Sequence, residues 1–123
     1  MSVGDGWLGL IDNGCALIQG HITSGRSRRA RALRAIRNKK LFGWELDAVK
    51  QPLCSQVVAM QVKEKFGGLR FYVSGGDAYT NGIIAMMEFM SEKTCDSCGN
   101  PGTVGGKRWL TCKCSSCRKA TEK

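Results

Sequence analysis

The sequence predicts an α+β fold, in which helices pack on a β-hairpin or small antiparallel sheet and a four-cysteine zinc module follows. Three observations lead there. Apolar residues recur at helical spacing in the first third and again after residue 77, Gly67-Gly68 interrupts a run of β-branched and aromatic residues, and two Cys-x-x-C pairs lie in the last third. A chain of 123 residues is sized for one domain, or for one domain with a small metal-stabilised module. We place the α+β core at 1–93 and a zinc-ribbon-like module at 94–123.

Charge and cysteine usage narrow the function. Nineteen Lys and Arg against ten Asp and Glu give a net charge of +9, which makes a polyanionic partner the expectation. Seven cysteines, five of them between residues 95 and 117, are an odd and crowded set, which suits a metal in a reducing compartment better than a disulfide scaffold. No stretch approaches the roughly 20 apolar residues of a membrane span. The apolar run from Trp7 to Ile11 meets Asp12 at once and lacks a preceding cationic segment, so it does not read as a secretory signal. A cytoplasmic protein with no membrane partner is expected.

From Asp5 to Ile22, Trp7, Ile11, Cys15, Ile18 and Ile22 fall on one helical face. Gly9, Gly14 and Gly20 each cost about 1 kcal/mol relative to Ala, so this helix needs tertiary packing. His21, the only histidine, reads as a capping or surface residue. Residues 26–40 then form a second, arginine-rich helix bearing Arg26, Arg28, Arg29, Arg31, Arg34, Arg37, Lys39 and Lys40 with no acidic residue among them. Leu33, Ile36 and Leu41 give it only a narrow apolar arc, with Arg28, Arg31 and Arg34 on the other side. Like charges repel along such a helix, so it should be lightly docked and frayed until an anion neutralises it.

The hairpin spans 57–73. A turn at Gly67-Gly68 would set Phe66 opposite Leu69, Lys65 opposite Arg70 and Val62 opposite Val73. Val58, Met60, Val62, Phe66, Leu69, Phe71 and Val73 would then share the inner face with Glu64 as the exception, leaving Gln61, Lys63, Lys65, Arg70 and Tyr72 outside. That basic face with one aromatic suits nucleic acid, and suits ordinary edge protection as well. A third helix from Asp77, its N-cap, to Lys93 should lay Ile83, Met86, Met87 and Met90 on the hairpin.

Cys95 and Cys98 with Cys114 and Cys117 have the spacing of a closed tetrahedral zinc site, which is structural. Cys112 competes with Cys114 but is disfavoured, because the sulfurs of an extended Cys-x-Cys point to opposite faces. Bound Zn²⁺ would lower +9 to about +7. Lys107, Arg108, Lys113, Arg118, Lys119 and Lys123 surround the module as a second basic block.

The stretch KEKFGGLRFY, then CDSCGNPG, then Trp109 with Cys114 and Cys117 five and eight residues beyond it, resembles a family of small bacteriophage and prophage proteins. That family carries histidine where Cys117 stands, a swap zinc accepts. The resemblance covers roughly the second half, supports Cys114 as ligand and suggests a viral product acting in the host cytoplasm, but implies no activity.

No enzyme is expected. Asp47 with the strand Gln61-Val62-Lys63 loosely matches metal-dependent nucleases, yet only Glu45, Asp47 and Glu64 could supply carboxylates. A Cys-His nucleophile would need His21 beside Cys15 or Cys54, and Cys15 points elsewhere at six residues' spacing on a helix. The expected function is non-catalytic binding of nucleic acid through the basic surfaces. The alternative is an inhibitor of the anti-CRISPR or host-takeover type, docking on a host protein or nucleoprotein complex, with Phe42 and Trp44 as apolar anchors.

Overall fold

One helix, α1 (Leu8–Arg37), runs for 30 residues near the start of the chain; a 3₁₀ turn at Asp5–Trp7 leads into it. The computed structural model describes residues 3–40 and 42–121 and is α+β, with four helices and two small antiparallel hairpins. Leu41 and Lys123, named above, lie outside the described residues. The two helices expected for 5–22 and 26–40 are thus a single element of 30 residues. Thr23-Ser24-Gly25 contains no proline, and one exposed glycine costs about 1 kcal/mol, too little to break the helix. Arg34 and Arg37 occupy the last turn, where the helix dipole favours cations and offsets some of their repulsion. Lys39 closes the helix at φ +60°, so Lys39 and Lys40 lie beyond it: the Lys39 amide donates to Ile36 O and the Lys40 amide to Ala35 O.

The 3₁₀ turn buries Trp7 and the first half of α1 buries Ile11, Ile18 and Ile22 as expected, but Gly14 replaces Cys15 on the buried face. Met87 lies directly over Gly14, where a Cβ would collide with its thioether, and Cys15 is exposed. The second half of α1 is docked, not loose. Helix α2 (Trp44–Lys50) packs against it, burying Ala32, while Leu33 is exposed and Ile36 half-buried. Glu45 is buried at the start of α2, its carboxylate accepting the amides of Phe42 and Gly43 at 2.9 Å each. Burial pushes that carboxyl up, and the backbone donors outweigh burial and hold it below its ordinary value.

Strands β1 (Val58–Lys65) and β2 (Gly68–Ser74) pair with Lys63 opposite Arg70, Val62 opposite Phe71 and Glu64 opposite Leu69. The turn is therefore Phe66-Gly67, both at positive φ (55° and 83°), a I′ geometry, and not Gly67-Gly68. Glu64 explains the shift: its carboxylate accepts the Gly67 amide at 2.7 Å. A bulge between Ala59 and Gln61 then turns Val58 and Met60 outward, and Phe66 sits exposed in the turn, so these three leave the inner face. The shift by two residues preserves parity elsewhere, so Gln61, Lys63, Lys65, Arg70 and Tyr72 do share the outer face.

Helix α3 (Ala78–Ser91) starts at the expected cap, Asp77, which exchanges hydrogen bonds with Thr80 in a capping box. Its buried line is Thr80, Ile84, Met87 and Ser91, with Ile83 half-buried and Met86 and Met90 exposed, a rotation from the expected methionine stripe. Polar contacts fix that rotation. Ser91 Oγ accepts the Leu69 amide at 2.8 Å and Glu88 accepts the Phe71 amide at 3.1 Å, so α3 covers the outer edge of β2. Strands β3 (Thr103–Gly105) and β4 (Thr111–Lys113) make the second hairpin, followed by α4 (Ser115–Thr121). Cys112 on β4 joins Trp7, Leu69, Phe71 and Met87 in one apolar cluster. Among the described residues no helix is long and apolar enough to cross a membrane.

Candidate metal centre and basic surfaces

Cys95 and Cys98 flank a tight turn in which the Cys95 amide donates to Asn100 O and the Gly99 amide to Cys95 O. Cys114 and Cys117 lie at the start of α4, where the Cys117 amide points at Cys114 Sγ. The two turns face each other, and all four sulfurs lie within 4.8 Å of one another. Cys98 Sγ and Cys114 Sγ are 3.6 Å apart, close to the roughly 3.8 Å edge of a tetrahedron with about 2.3 Å metal–sulfur bonds. These four cysteines could hold one metal ion. Cys112 is outside the group, buried on the opposite face of β4 as strand alternation requires.

The four sulfurs act on one another's charge. Burial raises the Cys95 thiol, but the backbone donors of Cys114, Cys98 and Ser97 outweigh it and bring Cys95 down to about 6. The neighbouring sulfurs of Cys114, Cys98 and Cys95 push Cys117 up to about 12. A positive ion among the four sulfurs would stabilise their thiolate forms. The surroundings brace the turns: Lys113 Nζ bonds Asp96 at 2.8 Å and Ser97 Oγ at 2.7 Å. The Arg118 guanidinium donates to the carbonyls of Thr103, Gly105 and Thr111, tying α4 to the hairpin. Lys113 and Arg118 thus serve the module internally, while Lys107, Arg108 and Lys119 are exposed.

The arginine-rich half of α1 presents Arg26, Arg28, Arg31, Arg34 and Arg37 to solvent with Arg29 half-buried. Among the described residues the ion pairs are His21 with Asp77 and Lys113 with Asp96, so none of these arginines is neutralised by a carboxylate. Arg28 turns toward α2, its guanidinium 6.0 Å from the Trp44 ring, whereas Arg31, Arg34 and Arg37 recur at steps of three on the outward side. Trp44 is half-buried under that contact and does not project as an anchor; Phe42 does, at 84% exposure. On the hairpin, Lys63 lies over the Tyr72 ring and Lys65 over Phe66.

Two features escape sequence reasoning. Phe66 and Trp109, 69% and 75% exposed, line one shallow depression with Glu64, Arg108 and Leu110, an aromatic surface carrying one charge of each sign. His21, Cys54 and Asp77 also converge, although nothing in their spacing announces it. Glu45, Asp47 and Glu64 form no cluster of potential metal ligands among the described residues. Comparison with protein families, curated proteins and solved structures finds no match.

Proposed function

We propose that this is a non-catalytic, zinc-stabilised protein of bacteriophage type that binds nucleic acid. The observation that carries the reading is the outward row Arg31, Arg34 and Arg37 on a helix with no acidic partner. A stable helix that concentrates cations without neutralising them sustains an electrostatic cost, and a phosphate backbone removes it. The exposed rings of Phe66, Tyr72 and Trp109 beside Lys63, Lys65 and Arg108 offer faces on which unpaired bases stack. Four thiolates in tetrahedral reach favour Zn²⁺ as the metal, with no position left for catalysis.

Exposed Phe42 beside the arginine helix favours a second reading, in which the same charges meet an acidic host protein and Phe42 fills a pocket on it. Salt dependence on duplex DNA separates the two. Each neutralised phosphate contributes close to one unit to the slope of log K against log salt, so glutamine at Arg31, Arg34 and Arg37 should flatten it by about three units. An unchanged slope removes the helix from the nucleic-acid interface. Capture of a host protein that survives nuclease treatment and is lost in Phe42→Ala would instead support docking on a protein.

A further inference from the structure

A second cluster of metal-ligating side chains lies away from the four cysteines, where the middle of α1, the segment before β1 and the N-terminus of α3 meet. His21 Nε2 is 2.8 Å from Asp77 Oδ2, and one donor atom from each of His21, Cys54 and Asp77 lies within 4.8 Å of the others. All three are partly buried at the edge of a cavity of about 340 Å³ that Ser24, Gly25 and Arg28 also line. We propose that His21, Cys54 and Asp77 bind a divalent ion of the zinc type through one nitrogen, one sulfur and one oxygen, leaving a fourth position open to the cavity.

The arrangement is built on three rigid supports. Asp77 spends Oδ1 on the Thr80 amide, which leaves Oδ2 aimed at His21. The His21 ring is stacked on Tyr79, centroids 4.2 Å apart, so its nitrogens cannot swing away freely. Cys54 is followed by two pinned residues: Gln56 donates to Gln19 Oε1 on α1 at 2.8 Å, and Ser55 Oγ accepts the Gly76 amide before α3 at 2.8 Å. Tetrahedral coordination with bonds of about 2.0 to 2.3 Å spaces ligand atoms about 3.3 to 3.8 Å apart, so the His21 and Asp77 atoms need to part by only about half an ångström.

A thiol nucleophile of the Cys-His type does not fit these residues. Burial and the Asp77 carboxylate both push the Cys54 thiol up, so it stays protonated near neutral pH, and His21 is committed to Asp77 instead. A cation reverses that logic: it ionises Cys54, whose proton leaves to solvent, and it takes the place of the proton between His21 Nε2 and Asp77, which moves by way of solvent to Nδ1 and leaves the ring neutral. One thiolate and one carboxylate balance a divalent ion. Arg28 at the cavity wall then favours water-derived or anionic oxygen in the fourth position.

Titration of the reduced, metal-free chain with Co²⁺, followed by absorbance, tests the site. The expected result is two equivalents, the first with the intense sulfur-to-cobalt band of four thiolates and the second with a weaker band from one. Cys54→Ser should remove the second band and leave the first, and His21→Gln should weaken the second equivalent at least about tenfold. Asp77→Asn keeps a capping side chain and should weaken it as well. The intact first equivalent in each variant reports that the chain is folded. Saturation of the native chain at one equivalent, or a second equivalent unchanged in both Cys54→Ser and His21→Gln, overturns the proposal.

Discussion

At the scale of single residues, Gly6 joins the start of the chain to the metal centre. Its amide donates to Asp96 O at 2.9 Å, and a Cβ there would run into the Cys95 carbonyl and backbone atoms of Asp96 and Gly99. Backbone does not yield as a flexible side chain does, so Gly6→Ala should cost about 1–3 kcal/mol in denaturant unfolding and weaken metal retention. Unaltered stability would mean that the segment before α1 does not bear on the knuckle. The four-cysteine cluster was legible from spacing, and the choice of Cys114 over Cys112 rested on strand alternation together with the family resemblance. The hairpin register was not, because Phe66, a bulky residue at positive φ, takes the first turn position while the Glu64 carboxylate holds the Gly67 amide. Propensity sees two glycines and has no view of that hydrogen bond. His21, Cys54 and Asp77 were illegible for a plainer reason: only tertiary packing brings residues so far apart in sequence together.

At the scale of elements, the continuity of α1 is the principal departure from expectation. Charge repulsion argued for a frayed second half, but the docking of α2 and the helix dipole at Arg34 and Arg37 act in the opposite sense. Gly25 stands in the middle with nothing within 4 Å of a hypothetical Cβ. Gly25→Ala should therefore stabilise the protein by about 0.5–1 kcal/mol, by the propensity difference, measured as a rise in denaturant midpoint at constant slope. A loss of stability would indicate a break in the helix there. The rotation of α3 away from its methionine stripe has a similar origin. Ser91 and Glu88 satisfy the edge amides of β2, and an unpaired buried amide costs more than an exposed methionine.

At the scale of the whole molecule, the metal centre and the core are parts of one structure. The Trp7 indole donates to Thr94 O at 2.8 Å, and Cys112 packs in the same cluster as Trp7. Removing the metal should release more than the glycine-rich loop. An ion held by the four cysteines would contribute of order 10 kcal/mol to the ordering of residues 94–121, so chelation should abolish their hydrogen-exchange protection and shift the tryptophan fluorescence as well. Acid should act in the same direction. Backbone donors hold the Cys95 thiol down to about 6, which favours its thiolate at neutral pH, and retention of an ion should be lost on acidification through that value as protons compete for the sulfurs. Protection of 94–121 that survives chelation would show a module stable without its ion.

The Trp7 indole bond has a temporal consequence as well as a spatial one. Its two ends are 87 residues apart. A ribosome adds about 5–20 residues per second, so the indole waits roughly 4–17 s for a partner that has not yet been made. During that interval α1 can wind, the first hairpin can close and α3 can begin to cover α1, but the Trp7 indole N–H lacks its acceptor. Closure of that bond depends on the last-made third, so a chain stopped before residue 94 would keep its oldest aromatic residue without a partner.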